Sequence, residues 1–275
     1  MSIRITTLSE NAAKSGFIAE WGLSVLIEAD DLRILLDTSQ SFSVVHNAQA
    51  LGFDLSIVDK LVLSHGHYDH TGGLREVLSQ TGEIDIIAHP DIWQAKCAVR
   101  NNIETPIGIP FTRGELEQIG ARFQMTTNPV WITDNIVTTG EVPMVTEYEQ
   151  IDSNLFVRDG EILRPDLLLD DLALAIKTEK GLVVILGCGH RGMVNTIWHL
   201  QRITGEKRVN CVLGGTHLIA ASPERLALTV ADLSQIGIEK LGVCHCTGFG
   251  ASCRLANEFP NSFVLNNAGT IMMLP

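Results

Sequence analysis

Aromatic residues are scarce in this 275-residue chain, at 5%, and charged residues make up only 19%. Cations are the smaller share of the charged residues: 20 Lys and Arg stand against 32 Asp and Glu, a formal net charge of -12. A surface short of positive charge repels a phosphate backbone, which argues against nucleic acid as a partner and leaves room only for a local basic pocket. No apolar run is long enough to cross a bilayer; "LVVIL" at 182–186 is typical. The opening "MSIRITTLSEN" lacks the basic-then-apolar layout of an export signal, so a cytoplasmic location is expected. Without export, six cysteines do not read as a disulfide framework. Repeats and low-complexity segments are also missing. What remains is a 45% hydrophobic composition, enough for a substantial core.

That apolar content is distributed as alternating strands and helices. "GLSVLIEA" (22–29) and "LRILLDTS" (32–39) are β-branched runs divided by "DD" and read as a hairpin. A helix follows at 43–52, a buried strand at 60–65, a helix at 71–82 and a strand at 84–90. Residues 91–165 are less regular, with five prolines, and read as an insertion that covers one face of the domain. Order then returns: a second hairpin at 172–178 and 181–189, a helix at 193–203, a strand at 209–217, a helix at 222–237, a strand at 240–246 and a closing strand at 262–274. Ser222, Pro223 and Gly237 are cap, first-turn and stop signals for the last of these helices. The two halves share one plan, which points to an α/β protein built as a four-layer αββα sandwich of one domain, 1–275. A single doubly wound sheet is the alternative.

The chemistry is concentrated in "LVLSHGHYDHTGGL" (61–74), which crowds His65, His67, Asp69 and His70 behind a continuous apolar run. Such a run is a strand buried on both faces, and the carboxyl ends of such strands are where α/β proteins bind ligands. His65 and His67 are two apart, so extended backbone projects both to one side. Asp69 and His70 come where the chain turns into a helix and aim elsewhere, which suits two adjacent cations. A lone histidine at a strand end is usually structural; this cluster is not, because three imidazoles and a carboxylate are poorly compensated without a cation. Further ligands must come from other strand ends. "GCGHRG" (187–192) and "CHCTG" (244–248) offer His190, His245 and, in third place, Cys188, which either ligates as thiolate or packs. Alternation should turn Cys244 and Cys246 away from where His245 points, so both read as packing residues, like Cys97 and Cys211; Cys253 has no assigned role.

"SHGHYDHTGG" resembles the signature of the metallo-β-lactamase superfamily, an αββα fold of mostly hydrolytic metalloenzymes, and the likeness extends over nearly the whole chain. "LLDTS" (35–39) is similar to that superfamily's early motif and implies a supporting role for Asp37. "DLALAIKTEKGLVVILGCGHRGMVNT", "LGGTHL" and "CHCTG" resemble a branch described as dihydropterin-type phosphate synthases or as metal-dependent hydrolases. The resemblance implies that His65 and His67 bind one ion, that Asp69 and His70 bind a second, and that His245 completes the second site. The chain departs from the superfamily's pattern in lacking its middle Gly-His-Thr, where "TTGEVPM" (138–144) offers Glu141, and its bridging Gly-Asp, where "GCGHRG" stands. His190 is the expected substitute for the first of these.

The expected activity is therefore hydrolysis of a small ester, phosphoester or lactone by one or two Zn2+ ions, with Mn2+ or Fe as alternatives. Such ions lower the pKa of a bound water from about 15.7 toward about 7, and Asp69 is the natural proton acceptor. The runner-up is a pterin-related synthase acting on an aminobenzene riboside phosphate, and a non-catalytic protein with a structural ion comes third. His217, after two glycines at a strand end, is either a contact for an anionic substrate group or tied to backbone; Arg191 is either an anion clamp or solvated. His89 reads as structural, His46 and His199 as surface residues, Trp93, Trp131 and Phe111 as local core, and "DLLLDD" (166–171) as a solvated corner. The expected partner is a small molecule, without membrane or nucleic acid; a homo-oligomer is left open.

Overall fold

The computed structural model describes residues 2–275. The chain runs through β1 (Ile3–Ser9), β2 (Ser24–Ala29), β3 (Leu32–Leu36), α1 (Ser43–Ala50), β4 (Lys60–Val62), α2 (Tyr68–Thr71), α3 (Leu74–Thr81) and β5 (Ile84–Ala88). It continues through β6 (Ala95–Arg100), β7 (Ile103–Pro106), α4 (Arg113–Gln118), β8 (Ala121–Met125), β9 (Ile136–Thr138), β10 (Leu155–Asp159) and β11 (Ile162–Pro165). The last part holds β12 (Ala173–Thr178), β13 (Gly181–Leu186), α5 (Met193–Thr204), β14 (Val209–Gly215), α6 (Pro223–Ile236), β15 (Lys240–Cys244), α7 (Phe249–Glu258) and β16 (Thr270–Leu274).

These strands form a seven-stranded sheet, ordered β16-β1-β2-β3-β4-β5-β8, and a five-stranded sheet, ordered β15-β14-β13-β12-β9. The inner faces meet in a core that includes Ile5, Val25, Ile34 and Val62 from the first sheet and Leu174, Val183, Ile185 and Leu213 from the second. The outer face of the first sheet is covered by apolar residues of α1, α3 and α4, and that of the second by α5, α6 and α7. The layering is αββα, as the two-half pattern predicts. The layering explains the apolar runs: β4, parallel to β3 and β5, and β13, antiparallel to β12 and parallel to β14, are covered on one face by the other sheet and on the other by helices, so neither has a solvent face.

Local chemistry sets the boundaries. Asp30 and Asp31 both take positive φ, the backbone of a two-residue hairpin turn, which Asp tolerates better than most residues. The Ser222 side chain accepts from the Arg225 amide at 3.1 Å, and α6 stops where Gly237 turns left-handed. The expected helix over 71–82 is split in two at Gly72 and Gly73, because the chain passes too close to a neighbouring segment there. An added Cβ would stand 2.1 Å from the Gln40 carbonyl oxygen at Gly72, and 2.1 Å from that of Thr38 at Gly73.

Three expectations are corrected. Residues 91–165 are not an insertion of short elements throughout: β8 is the edge strand of the first sheet and β9 of the second, while β6, β7, β10 and β11 make a separate four-stranded sheet, ordered β11-β10-β6-β7. The corner at 166–171 is not solvated. Asp166, Asp170 and Asp171 are buried, and the Lys96 ammonium, itself buried, donates to Asp166 at 2.8 Å and to Asp170 at 2.9 Å. His199 is likewise buried, with Nε2 3.1 Å from the Thr139 carbonyl oxygen, whereas His46 is exposed.

Candidate metal centre

Strands β3, β4, β13, β14 and β15 end on the same edge of the sandwich, and the residues that follow them converge. Asp37 follows β3, His65 and His67 follow β4, Cys188 and His190 follow β13, His217 follows β14, and His245 with Cys246 follows β15. The convergence needs close backbone approach: a Cβ on Gly187 would stand 2.1 Å from the Ser64 hydroxyl, so only glycine lets β13 meet β4 this closely. Asp37, His217 and His245 all hold positive φ, a strained conformation that the surrounding contacts maintain.

Donor atoms gather in two neighbouring sets. One comprises His65, His67 and His190; the other comprises Asp69, His70 and His245; within each, the potential ligand atoms lie within 4.8 Å of one another. His65 Nε2 is 2.9 Å from His67 Nδ1, His70 Nε2 is 3.2 Å from His245 Nε2, and His245 Nε2 is 3.4 Å from Asp69 Oδ2. Cys188 belongs to both sides, grouping with His65 and His70, with His190 and His217, and with His245 and Cys246; its Sγ lies 3.1 Å from His70 Nε2.

The rings of His65, His70 and His245 are oriented from behind. Asp37 Oδ2 lies 2.6 Å from His70 Nδ1, and the same carboxylate accepts from the Ser64 amide at 2.7 Å and the Ser64 hydroxyl at 2.6 Å. Ser64 Oγ also lies 2.9 Å from His65 Nδ1. Asn11 Oδ1 lies 2.9 Å from His245 Nδ1, and Glu10 accepts from the His245 amide at 2.7 Å. A hydrogen bond at Nδ1 leaves Nε2 to face inward as a lone pair, the arrangement that a metal-ligating histidine uses. The loops are pinned as well: Asp170 accepts from the Gly66 amide at 2.8 Å and Asp171 from the Arg191 amide at 2.8 Å.

The donor set fits cations. His67 Nε2 and both ring nitrogens of His190 are buried with no hydrogen-bond partner among the described residues. A buried polar atom left unpaired costs about 1–3 kcal/mol, so three such atoms facing neighbouring donors need a ligand. Burial pushes the His67 imidazole down to about 3 and those of His65 and His190 well below the usual histidine range, which keeps these rings neutral with lone pairs free. Burial works against ionisation of Asp69, yet His70 and His245 beside it hold its carboxyl well below the ordinary value.

A cavity of about 620 Å³ opens over the cluster, the size of a small-molecule pocket. His67, Asp69, Cys188, His190, His217 and His245 all face it, and residues from 91–165, among them Ala98, Arg100, Ile107 and Asp152–Leu155, form a wall. His217 Nε2 lies 3.0 Å from Asp152 Oδ2. Burial alone would depress the His217 imidazole, but its contacts with Asp152 and Cys246 raise it to about 10.

Two expectations change here. The Arg191 guanidinium does not reach the cavity: it donates to the carbonyls of Val142 and Leu167. Cys246 is not turned away. Strand alternation stops at Cys244, because His245–Thr247 form a single tight turn, so Cys246 Sγ faces the cavity and accepts from the His217 amide at 3.2 Å. Glu141 lies beside His89, 3.2 Å from its Nε2, and outside the donor sets.

A sequence model of the metallo-β-lactamase superfamily matches residues 22–200. Over 98% of its length the chain is 33% identical to the 7,8-dihydropterin-6-methyl-4-(β-D-ribofuranosyl)-aminobenzene-5'-phosphate synthase of Methanocaldococcus jannaschii, 96% of which is covered. It is 31% identical to an uncharacterized protein of the same organism, over 98% of this chain and 99% of that one. The crystal structure of Tm1679, a metal-dependent hydrolase of the β-lactamase superfamily, superposes with a TM-score of 0.86 at 28% identity, covering 99% of both chains.

Proposed function

Because this chain belongs to the metallo-β-lactamase superfamily, we propose that its cleft is a metal-dependent catalytic centre that joins a dihydropterin, through its 6-methyl carbon, to the amino nitrogen of a ribofuranosyl-aminobenzene 5'-phosphate. The observation that carries this reading is the 33% identity to a synthase so named, spread over nearly the full length of both chains. The whole chain acts as one unit, with residues 91–165 as a wall of its cleft.

Zn2+ is the ion proposed for a donor set of imidazoles, with Mn2+ or Fe suited by its carboxylate; one or two such ions would supply Lewis acidity that offsets charge on the departing group. His65, His67 and His190 would hold one ion and Asp69, His70 and His245 the other, with Cys188 a further donor beside both sets. The remaining groups handle charge and protons. His217, cationic through Asp152, contacts an anionic group of the pterin partner. Attack by the aromatic amine forms the C–N bond as the C–O bond from the pterin's 6-methyl carbon to a phosphate group breaks; the phosphate departs with the bonding pair, and Asp69, the carboxylate facing the cavity at the cluster, accepts the proton left on nitrogen.

Hydrolysis of a small phosphoester, ester or lactone is the second reading, favoured by the similarity to Tm1679. One experiment separates the two. Zn2+-loaded protein is incubated with a 6-hydroxymethyl-dihydropterin phosphate ester and the aminobenzene riboside phosphate, and the products are weighed by mass spectrometry. The joined product is expected. Release of free hydroxymethylpterin without joining, together with turnover of a generic phosphodiester or lactone, would replace synthesis by hydrolysis.

A further inference from the structure

The cavity over the cluster continues outward. A second hollow of about 460 Å³ adjoins it, and the two share Trp21, Tyr68, Ala98, Arg100 and Ile107, with Thr105 and Pro106 completing the outer one. Hydrolysis needs a berth for one substrate and water. Joining two substrates needs a second berth open to the first, and this hollow has that placement.

Its lining has a specific chemistry. Trp21 is 43% exposed, high for its size, and its ring centroid lies 5.1 Å from that of His245, at the border of the cluster. Tyr68 sits between the two histidine-bearing halves of the metal loop, and its amide donates to the Ile107 carbonyl at 2.9 Å, which ties that loop to the outer wall. Two aromatic faces therefore border the same opening, and such faces take a flat ring. Arg100 supplies the charge. Its guanidinium has no direct hydrogen-bond or ion-pair partner among the described residues, although its charge helps hold the Asp152 carboxyl below the usual value, whereas nine other arginines pair with carboxylates. Its backbone is fixed, since it ends β6, opposite Ile103, across a two-residue turn in which Asn101 and Asn102 take positive φ, and its side chain is exposed. An unpaired guanidinium on a hairpin, facing a cleft in a chain of net charge -12, suits a phosphate or phosphonate held bidentately.

We propose that the outer hollow is a binding subsite for an aromatic ring carrying a phosphate, with the ring against Trp21 and Tyr68 and the phosphate on Arg100. This rests on the synthase reading in identifying the occupant as the aminobenzene riboside phosphate. The subsite itself is a claim about binding and can be tested without turnover.

The test is calorimetric titration of the Zn2+-loaded protein with phenylphosphonate, which has the ring and the dianion but no ester to cleave. Phenol and inorganic phosphate are titrated as probes lacking one feature each. Phenylphosphonate is expected to bind at least tenfold more tightly than either. Arg100→Gln is expected to weaken it tenfold or more and Trp21→Ala at least fivefold, with metal content and melting temperature unchanged. Absence of phenylphosphonate binding, or equal binding by the wild type and both variants, would overturn the subsite, the latter placing the probe on the metal ions instead. The two readings fail separately. If the wild type joins no substrates yet binds the probe through Arg100, the synthase reading falls and the subsite stands. If joining proceeds and Arg100→Gln leaves KM for the riboside phosphate unchanged, the subsite falls and the synthase reading stands.

Discussion

Asp37 shows how one side chain can set a site without entering it. Its carboxylate reaches His70 Nδ1 and the backbone and hydroxyl of Ser64, which in turn reaches His65, so it orients a histidine of each donor set. Losing such a support typically lowers metal affinity 10- to 100-fold. Asp37→Asn should therefore weaken Zn2+ binding by that order in a chelator competition while the protein stays folded. Lys96 acts differently. It neutralises Asp166 and Asp170 in the interior, and Asp170 holds the Gly66 amide between two histidines of the cluster. Removing one partner of a buried ion pair strands the others, at a cost of about 3–5 kcal/mol. Lys96→Met should lower unfolding free energy by that amount in a denaturant titration. That "SHGHYDH", His190, His245 and Cys188 come together was legible because imidazoles, a carboxylate and a thiol at the ends of buried strands are costly to bury apart from one another. Cys246, Lys96 and the buried aspartates were not. Whether an acid at 166–171 meets water or a lysine 70 residues earlier is decided by tertiary contact, and a tight turn after Cys244 cancels the alternation on which the Cys246 reading relied.

At the scale of elements, the sequence carried most where signals were local. Apolar runs marked β4, β13 and β14, and the Ser222–Pro223–Gly237 pattern marked α6. The segment 91–165 resisted reading because its pairings are not local: β6 pairs with both β7 and β10, and β10 is more than 50 residues away in the chain. No periodicity announces such a partner. Two predictions belong to this scale. Ser222→Ala removes the α6 cap and should cost about 1 kcal/mol, read as a shift in the denaturant midpoint, with Zn2+ content unchanged because α6 packs on the far face of the second sheet. Gly187→Ala should do the reverse of that pattern, because its new methyl would press on Ser64 and part β13 from β4. Metal occupancy should fall, by elemental analysis, more than stability does.

As a whole molecule, the chain packs two sheets whose parallel strands deliver ligands to one edge, with a third, four-stranded sheet beside them and a cleft lined by His217 and Arg100 in a chain of net charge -12. Among the described residues no helix is long and apolar enough to cross a membrane. Because ligands come from strand ends of both sheets, a bound ion fastens one sheet to the other. A ligand present at 100 times its Kd stabilises the folded state by about 2.7 kcal/mol, so chelation should lower the melting temperature and added Zn2+ should restore it. The four-layer plan was legible because both halves repeat a hairpin followed by alternating helices and strands. The central claim is that loops from separate strands converge to hold divalent cations, and elemental analysis of protein purified after saturation with Zn2+ tests it most directly. One to two ions per chain are expected, falling by at least one when His67 and Asp69 are both replaced by alanine; a saturated wild-type protein that carries no ion would contradict the account.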